Sequence, residues 1–172
     1  VTGKPLLFWD VDGVFNRYPL QNVTGGEWLR HTIDLPGMPR PVPLVLDPGD
    51  VKRVRSLDDI VEHVWATTWN DRANTHLAPL IGLDPMPVAP MNRRFSEYDV
   101  TAEWKWDHVL QYAGIRPFAW IDDGFTMGML TRGNRRTAHT APTLLITADP
   151  ATGLTDDIVD SVRMFADIAA RG

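Results

Sequence analysis

No cysteine occurs in the chain, which rules out disulfide bridges, thiolate metal sites and cysteine nucleophiles. That absence suits any redox compartment and does not locate the protein. No apolar run approaches membrane-spanning length, and residues 1–10 lack the charged start and long apolar core of a signal peptide. The expectation is therefore a cytoplasmic protein with no membrane association. Positive charge is also in deficit. A net charge of −5 counts against a surface built mainly for nucleic acid, while leaving room for a local basic patch. Internal repeats and low-complexity tracts are missing. The histidines at 31, 63, 76, 108 and 139 have no metal-ligand spacing and are assigned no role.

What is present is an ordinary globular composition, 44% apolar and 23% charged. Its 172 residues suit one domain, spanning 1–172, with a sizeable core. Four apolar residues, Leu6 to Trp9, run directly into Asp10-Val11-Asp12-Gly13. This pattern predicts a short buried strand that ends in two carboxylates, with a glycine where the backbone leaves the sheet. Residues 14–46 contain Gly25-Gly26 and prolines at 36, 39, 41 and 43, which suits a flap or hairpin better than helices.

Asp47-Pro48-Gly49-Asp50 then signals a helix over about 48–59. Further strands are expected at 61–67, 118–121 and 143–147. Further helices are expected from Asn70 to Gly82, from Thr101 to Ala113 and from Thr155 to Ala169. Residues 83–98 are proline-rich, with one short strand near 87–89, and residues 125–141 are polar, basic and without clear periodicity. Strands alternating with helices predict an α/β domain, with a doubly wound, mostly parallel sheet covered by helices on both faces.

In such sheets the binding crevice lies beyond the carboxyl ends of the strands. Three predicted strands end there in reactive side chains: Asp10 and Asp12, Thr67 and Thr68, and Asp122 and Asp123. Lys105 lies in the first turns of the helix that precedes the last of these strands. Clustered carboxylates suit a hard cation with oxygen ligands, and Mg²⁺ is the natural choice. A carboxylate beside Mg²⁺ can attack a phosphoryl group, with hydroxyl and ammonium groups to hold the phosphoryl oxygens. A second acid two residues further on can protonate the departing oxygen and later activate water.

The order of these residues resembles the haloacid dehalogenase-like (HAD) superfamily. Its first motif, an apolar strand followed by DxDG, is matched at Asp10 to Gly13. The second, a serine or threonine ending the next core strand, resembles Thr67 in VWATT; the third, a basic residue near a helix start, resembles Lys105; the fourth, an acidic pair, resembles Asp122-Asp123. The resemblance covers about 5–150 and implies a Rossmann-like fold in which Asp10 is the nucleophile and Asp12 the general acid/base. It implies that Mg²⁺ is held by Asp10, the Asp12 backbone carbonyl and the acidic pair; which of Asp122 and Asp123 is the direct ligand stays open, with Asp123 favoured. Spacing leaves open whether Thr67 or Thr68 meets the phosphate, and Thr67 is favoured.

The second acid, Asp12, points to a phosphatase or, less often, a phosphomutase within the superfamily. The short insert within 14–46 resembles a minimal cap, which implies an open site able to admit a macromolecular end or a phosphoprotein, with a nucleotide or a nucleic-acid end among the expected substrates. Compact HAD domains attached to RNA-repair enzymes carry a similar WATTW-like motif. Trp65, Trp69, Trp104, Trp106 and Trp120 are read as core or pocket wall, and Arg132, Arg135 and Arg136 as a solvated loop. Two other readings compete. A phospho-signalling receiver would share the residue types but places its acidic pair after the first strand and its lysine last. A catalytically idle end-binding module would have no need of both Asp10 and Asp12.

Overall fold

A computed structural model of the chain describes residues 3–23, 27–36, 38–91 and 101–171. In chain order it contains β1 (Leu6–Trp9), β2 (Leu29–Ile33), β3 (Val42–Leu46), α1 (Asp50–Arg55) and β4 (Glu62–Trp65). A π-helical turn (Ala73–Leu77) leads into α2 (Ala78–Ile81), and a 3-10 turn (Ala102–Lys105) leads into α3 (Trp106–Ala113). Then come β5 (Phe118–Asp122), α4 (Met127–His139), β6 (Thr143–Thr147) and α5 (Asp156–Ala169).

Four strands form a parallel sheet in the order β4-β1-β5-β6. The chain leaves β1 for β4 on one side and returns to β5 on the other, so the switch point lies at the carboxyl end of β1. Register brings the strand ends level there, with Trp9 opposite both Trp65 and Ile121.

Side chains alternate across a strand, and β1 is buried on both sides. Leu7 and Trp9 join one core, packed by residues of α1, α2 and α5. Leu6 and Phe8 join a second, packed by α3 and α4. The sheet is thus doubly wound, as its alternating pattern predicts. Among the described residues no helix is long and apolar enough to cross a membrane.

The excursion after β1 carries the antiparallel hairpin β2–β3, and Leu44, Val45 and Leu46 turn into the interior. Of the predicted flap, residues 24–26 and 37 lie outside the described residues, as do 92–98 of the proline-rich stretch. The short strand expected near 87–89 is a single bridge from Val88 to Trp65.

Arg17 anchors the base of the flap. It is wholly buried and donates to Asp50 at 2.5 and 3.0 Å, to the Phe15 carbonyl at 2.6 Å and to the Thr152 carbonyl at 3.2 Å. One guanidinium thereby joins the flap, α1 and the turn after β6. Burial pushes the Asp50 carboxyl up to about 6, against the pull of Arg17. Gly153 makes room for this arrangement: at φ +66°, a Cβ there would lie 2.4 Å from the Val14 carbonyl and 2.7 Å from Arg17 Nε.

Three expectations need correction. Residues 127–139 are not a solvated loop but α4, capped by Thr126, whose hydroxyl accepts from the Met129 N–H at 3.3 Å. Its inward face is Met129, Gly133 and Arg136, too weakly apolar to show a helical period. The helix expected over 48–59 is shorter, because α1 ends at Arg55 and gives way to turns. Thr101 makes no capping bond, and Lys105 closes a 3-10 turn rather than sitting in a regular first turn.

Candidate active site

Asp10 is the first residue beyond β1, and its N–H still bonds the Ile121 carbonyl at 3.1 Å. The ladder therefore fixes the backbone from which its carboxylate projects. Asp10 Oδ1 accepts the Val11 N–H at 2.8 Å, leaving Oδ2 for Lys105 Nζ at 2.6 Å. The same ammonium donates to Asp122 Oδ2 at 2.8 Å, and Asp122 Oδ1 accepts the Gly124 N–H at 2.9 Å. Asp10, Lys105 and Asp122 are all buried. Burial alone would lower the Lys105 ammonium, but the two carboxylates outweigh it and hold its pKa above the ordinary lysine range.

One lysine cannot balance four aspartates. Burial pushes Asp122 up to about 7, and it also raises Asp123 and Asp12, with the Asp10 charge adding to each. A cation bound among these carboxylates would offset the excess negative charge. Oxygens of Asp10, Asp122 and Asp123 all lie within 4.8 Å of one another, and an all-carboxylate donor set fits a hard divalent ion. Gly13 permits that convergence. At φ +76°, a Cβ there would sit 2.5 Å from Asp123 Cγ, so the bare glycine lets the fourth motif pack against the first.

Asp12 is held differently. Its Oδ1 accepts from Asn16 Nδ2 at 2.8 Å and its Oδ2 from Trp69 Nε1 at 2.9 Å. Its side chain stands outside the three-carboxylate cluster. The two neighbouring acids thus have separate surroundings: Asp10 meets an ammonium, while Asp12 meets neutral donors.

A cavity of about 410 Å³ opens over these groups, lined by Asp10, Asp12, Thr68, Lys105, Asp122 and Asp123. Thr67 is fully buried behind it, with its hydroxyl accepting the Trp69 N–H at 3.3 Å. The structure therefore puts Thr68, the alternative to the favoured Thr67, on the cavity wall.

Two residues of the site, Tyr18 and Asn16, have no signal in the sequence pattern. Tyr18, from the flap, donates its hydroxyl to Asp123 Oδ2 and lines the cavity. Burial and the Asp123 carboxylate hold its phenol above the usual range, so it remains a donor. Asn16 and Trp69 grip Asp12, and of these two Trp69 is among the tryptophans expected as core or pocket wall. Trp104 lines the cavity half-buried, whereas Trp65 and Trp120 belong to the core. Arg132 and Arg135 lie by a separate groove beside α3, and Arg136 is buried, bonding the carbonyls of Gly114, Arg116 and Ala141.

Residues 6–159 match the family model described as the HAD domain in Swiss Army Knife RNA repair proteins. No curated protein matches the chain significantly.

Proposed function

The chain belongs to that HAD-domain family, and from this premise we propose that it is a Mg²⁺-dependent phosphohydrolase acting on phosphomonoesters through an aspartyl-phosphate on Asp10. One observation carries the reading. Two carboxylates flank one cavity, Asp10 against the Lys105 ammonium and Asp12 with a raised pKa among neutral donors. Paired acids whose surroundings differ in this way divide into nucleophile and proton carrier.

Asp10 attacks phosphorus, and the bond to the leaving oxygen breaks as that oxygen takes the Asp12 proton. Asp12, now a carboxylate, removes a proton from water, which attacks the aspartyl-phosphate and returns Asp10 and inorganic phosphate. Lys105 neutralises charge on the phosphoryl oxygens, and Thr68 or Thr67 hydrogen-bonds them. Mg²⁺ held by Asp10, Asp122 and Asp123, with the Asp12 carbonyl, would supply further neutralisation.

Among the described residues the crevice carries the hairpin flap and no large lid, and the family description concerns RNA repair. Both favour a nucleotide or a nucleic-acid end as the phosphorylated substrate. The test is a phosphate-release panel with Mg²⁺, comparing nucleotides, sugar phosphates, phosphopeptides and oligonucleotides phosphorylated at either end. Release from an end-phosphorylated oligonucleotide, lost in a folded Asp10→Asn variant, is the expected result. Undiminished release by that variant would sink the mechanism. Stable labelling without turnover would favour a receiver, and tight end binding without release an idle module.

A further inference from the structure

Two cavities meet at Asp12. One is the acidic cavity described above. The other is a recess of about 120 Å³, and Asp12 and Thr68 line both. The recess is otherwise walled by Trp69 and Arg72 and by Leu35, Met38 and Val42 of the flap. Leu35 and Trp69 are buried, while Met38 is 47% exposed, so the recess reaches solvent beside Met38.

Hydrogen bonds brace this wall. Arg72 donates to the Pro36 carbonyl at 2.8 Å and to the carbonyls of Thr68 and Trp69, both at 3.1 Å. It thereby ties the flap to the loop after β4. Trp69 donates in turn to Asp12 Oδ2 at 2.9 Å, so one set of bonds holds both the recess and the proton carrier. With the guanidinium engaged by carbonyls, the apolar side chains decide what fits.

We propose that this recess is the leaving-group subsite, and that it takes a flat unsaturated ring carried by the departing alcohol. The inference rests on the phosphohydrolase reading. In-line displacement places the leaving oxygen opposite Asp10, and its proton comes from Asp12, so whatever that oxygen carries lies against Asp12. Of the two cavities that touch Asp12, the acidic one receives the phosphoryl group beside Lys105 without being filled by it, whereas the recess is walled mainly by aliphatic side chains and an indole. That lining makes the recess the better match for an apolar alcohol. A polyol would lose hydration against Leu35, Met38 and Val42 without new partners, whereas a ring would gain from burial there. A nucleobase and a simple aryl group share this chemistry.

The experiment measures kcat/KM for a nucleoside monophosphate, benzyl phosphate, ethyl phosphate and a hexose phosphate. It uses the wild type, Val42→Trp, whose indole would fill the recess, and Met38→Trp at its exposed rim, in case the first variant fails to fold. The wild type is expected to favour ring-bearing substrates by about tenfold or more, and a filling variant to erase that preference through KM. A nucleotide preferred over benzyl phosphate identifies the occupant as a nucleobase; equal rates identify any aryl ring. Preference for hexose phosphate, or a ring preference untouched in both variants, overturns the subsite. If no substrate releases phosphate, the phosphohydrolase reading fails separately, and titration of nucleoside or benzyl alcohol followed by NMR judges the recess alone. Saturable binding lost in Met38→Trp then supports it, and no saturable binding to the wild type overturns it.

Discussion

Lys105 places its ammonium 2.6 Å from Oδ2 of Asp10, a residue 95 positions away in the chain. Because the same nitrogen also bonds Asp122, the lysine competes with any cation for two of the three clustered carboxylates. Lys105→Met should therefore act in opposite directions on two measurements. Phosphate release should fall by about 10²–10³-fold, since a preorganised charge on the phosphoryl group is lost. Affinity for Mn²⁺ used as a Mg²⁺ probe, followed by calorimetry, should rise as the competing ammonium disappears. A variant that loses both activity and metal binding would show that Lys105 only holds the fold of the site.

The contrast between β1 and α4 shows what a sequence makes legible. Leu6 to Trp9 are buried in both cores and run into acids without a turn, a pattern with few explanations other than a strand end at a site. α4 has no such signature, because a cation faces inward: Arg136 stacks over Phe118 at 4.6 Å and bonds the Thr143 hydroxyl at 2.7 Å. Hydrophobic periodicity registers none of that. Asp10, Asp12, Asp122 and Asp123 are legible because they follow predicted strands, and Lys105 because it lies in the first turns of a predicted helix. Tyr18 is not, because it lies in irregular chain and reaches Asp123 only through the tertiary path of the flap. The choice between Thr67 and Thr68 depended on how the loop after β4 turns, which spacing does not encode.

Arg17 and Asp50 form a pair in which neither side chain is more than 1% exposed. Removing one partner leaves the other charge in the interior with only its secondary ionic contacts, Arg53 at 3.2 Å for Asp50 and Asp47 at 3.9 Å for Arg17, at a cost of about 3 kcal/mol or more. Arg17→Met and Asp50→Ala should each lower the unfolding free energy from denaturant titration by that order, while the double variant Arg17→Met with Asp50→Ala should be less destabilised than the sum. Additive losses would mean that the two groups act independently. Since Arg17 also bonds the Phe15 and Thr152 carbonyls, its loss should expose the flap to proteolysis before the core.

His63 offers a pH test of stability away from the site. Its Nδ1 accepts the Trp9 indole N–H at 3.0 Å and its Nε2 faces Asp58 Oδ1 at 3.1 Å, so the bonded ring is the neutral tautomer protonated at Nε2. Burial lowers its pKa below the ordinary 6.5, only partly offset by Asp58. Below 6.5 the unfolded chain takes up a proton that the folded one resists, so stability should be fully present above that pH and decline as pH falls. Urea unfolding at a series of pH values should show this slope, reduced in His63→Gln. A slope of equal size in the variant would assign it to other groups.

Asp12 should leave its mark on the leaving-group dependence of the pH profile. Burial and the Asp10 charge raise its pKa, with Asn16 and Trp69 pulling the other way, so it keeps its proton to higher pH than an ordinary aspartate. An alkyl phosphate needs that proton as its oxygen departs, whereas a nitrophenyl phosphate leaves nearly unaided. The ratio of kcat/KM for alkyl over aryl substrate should therefore be highest at low pH and fall as pH rises through the raised pKa. Because the nitrophenyl ester loses its second phosphate proton at lower pH than the alkyl ester, each rate is first referred to its own dianion, and the ratio is taken of those corrected values. Asp12→Asn should flatten it and retain a burst of nitrophenol, but release phosphate slowly, because no base remains to activate water against the aspartyl-phosphate. Trp69→Phe removes one donor to Asp12 and should move the fall in the ratio to higher pH, since a bond favouring the carboxylate is lost. A ratio independent of pH in the wild type would take the proton-carrier role away from Asp12.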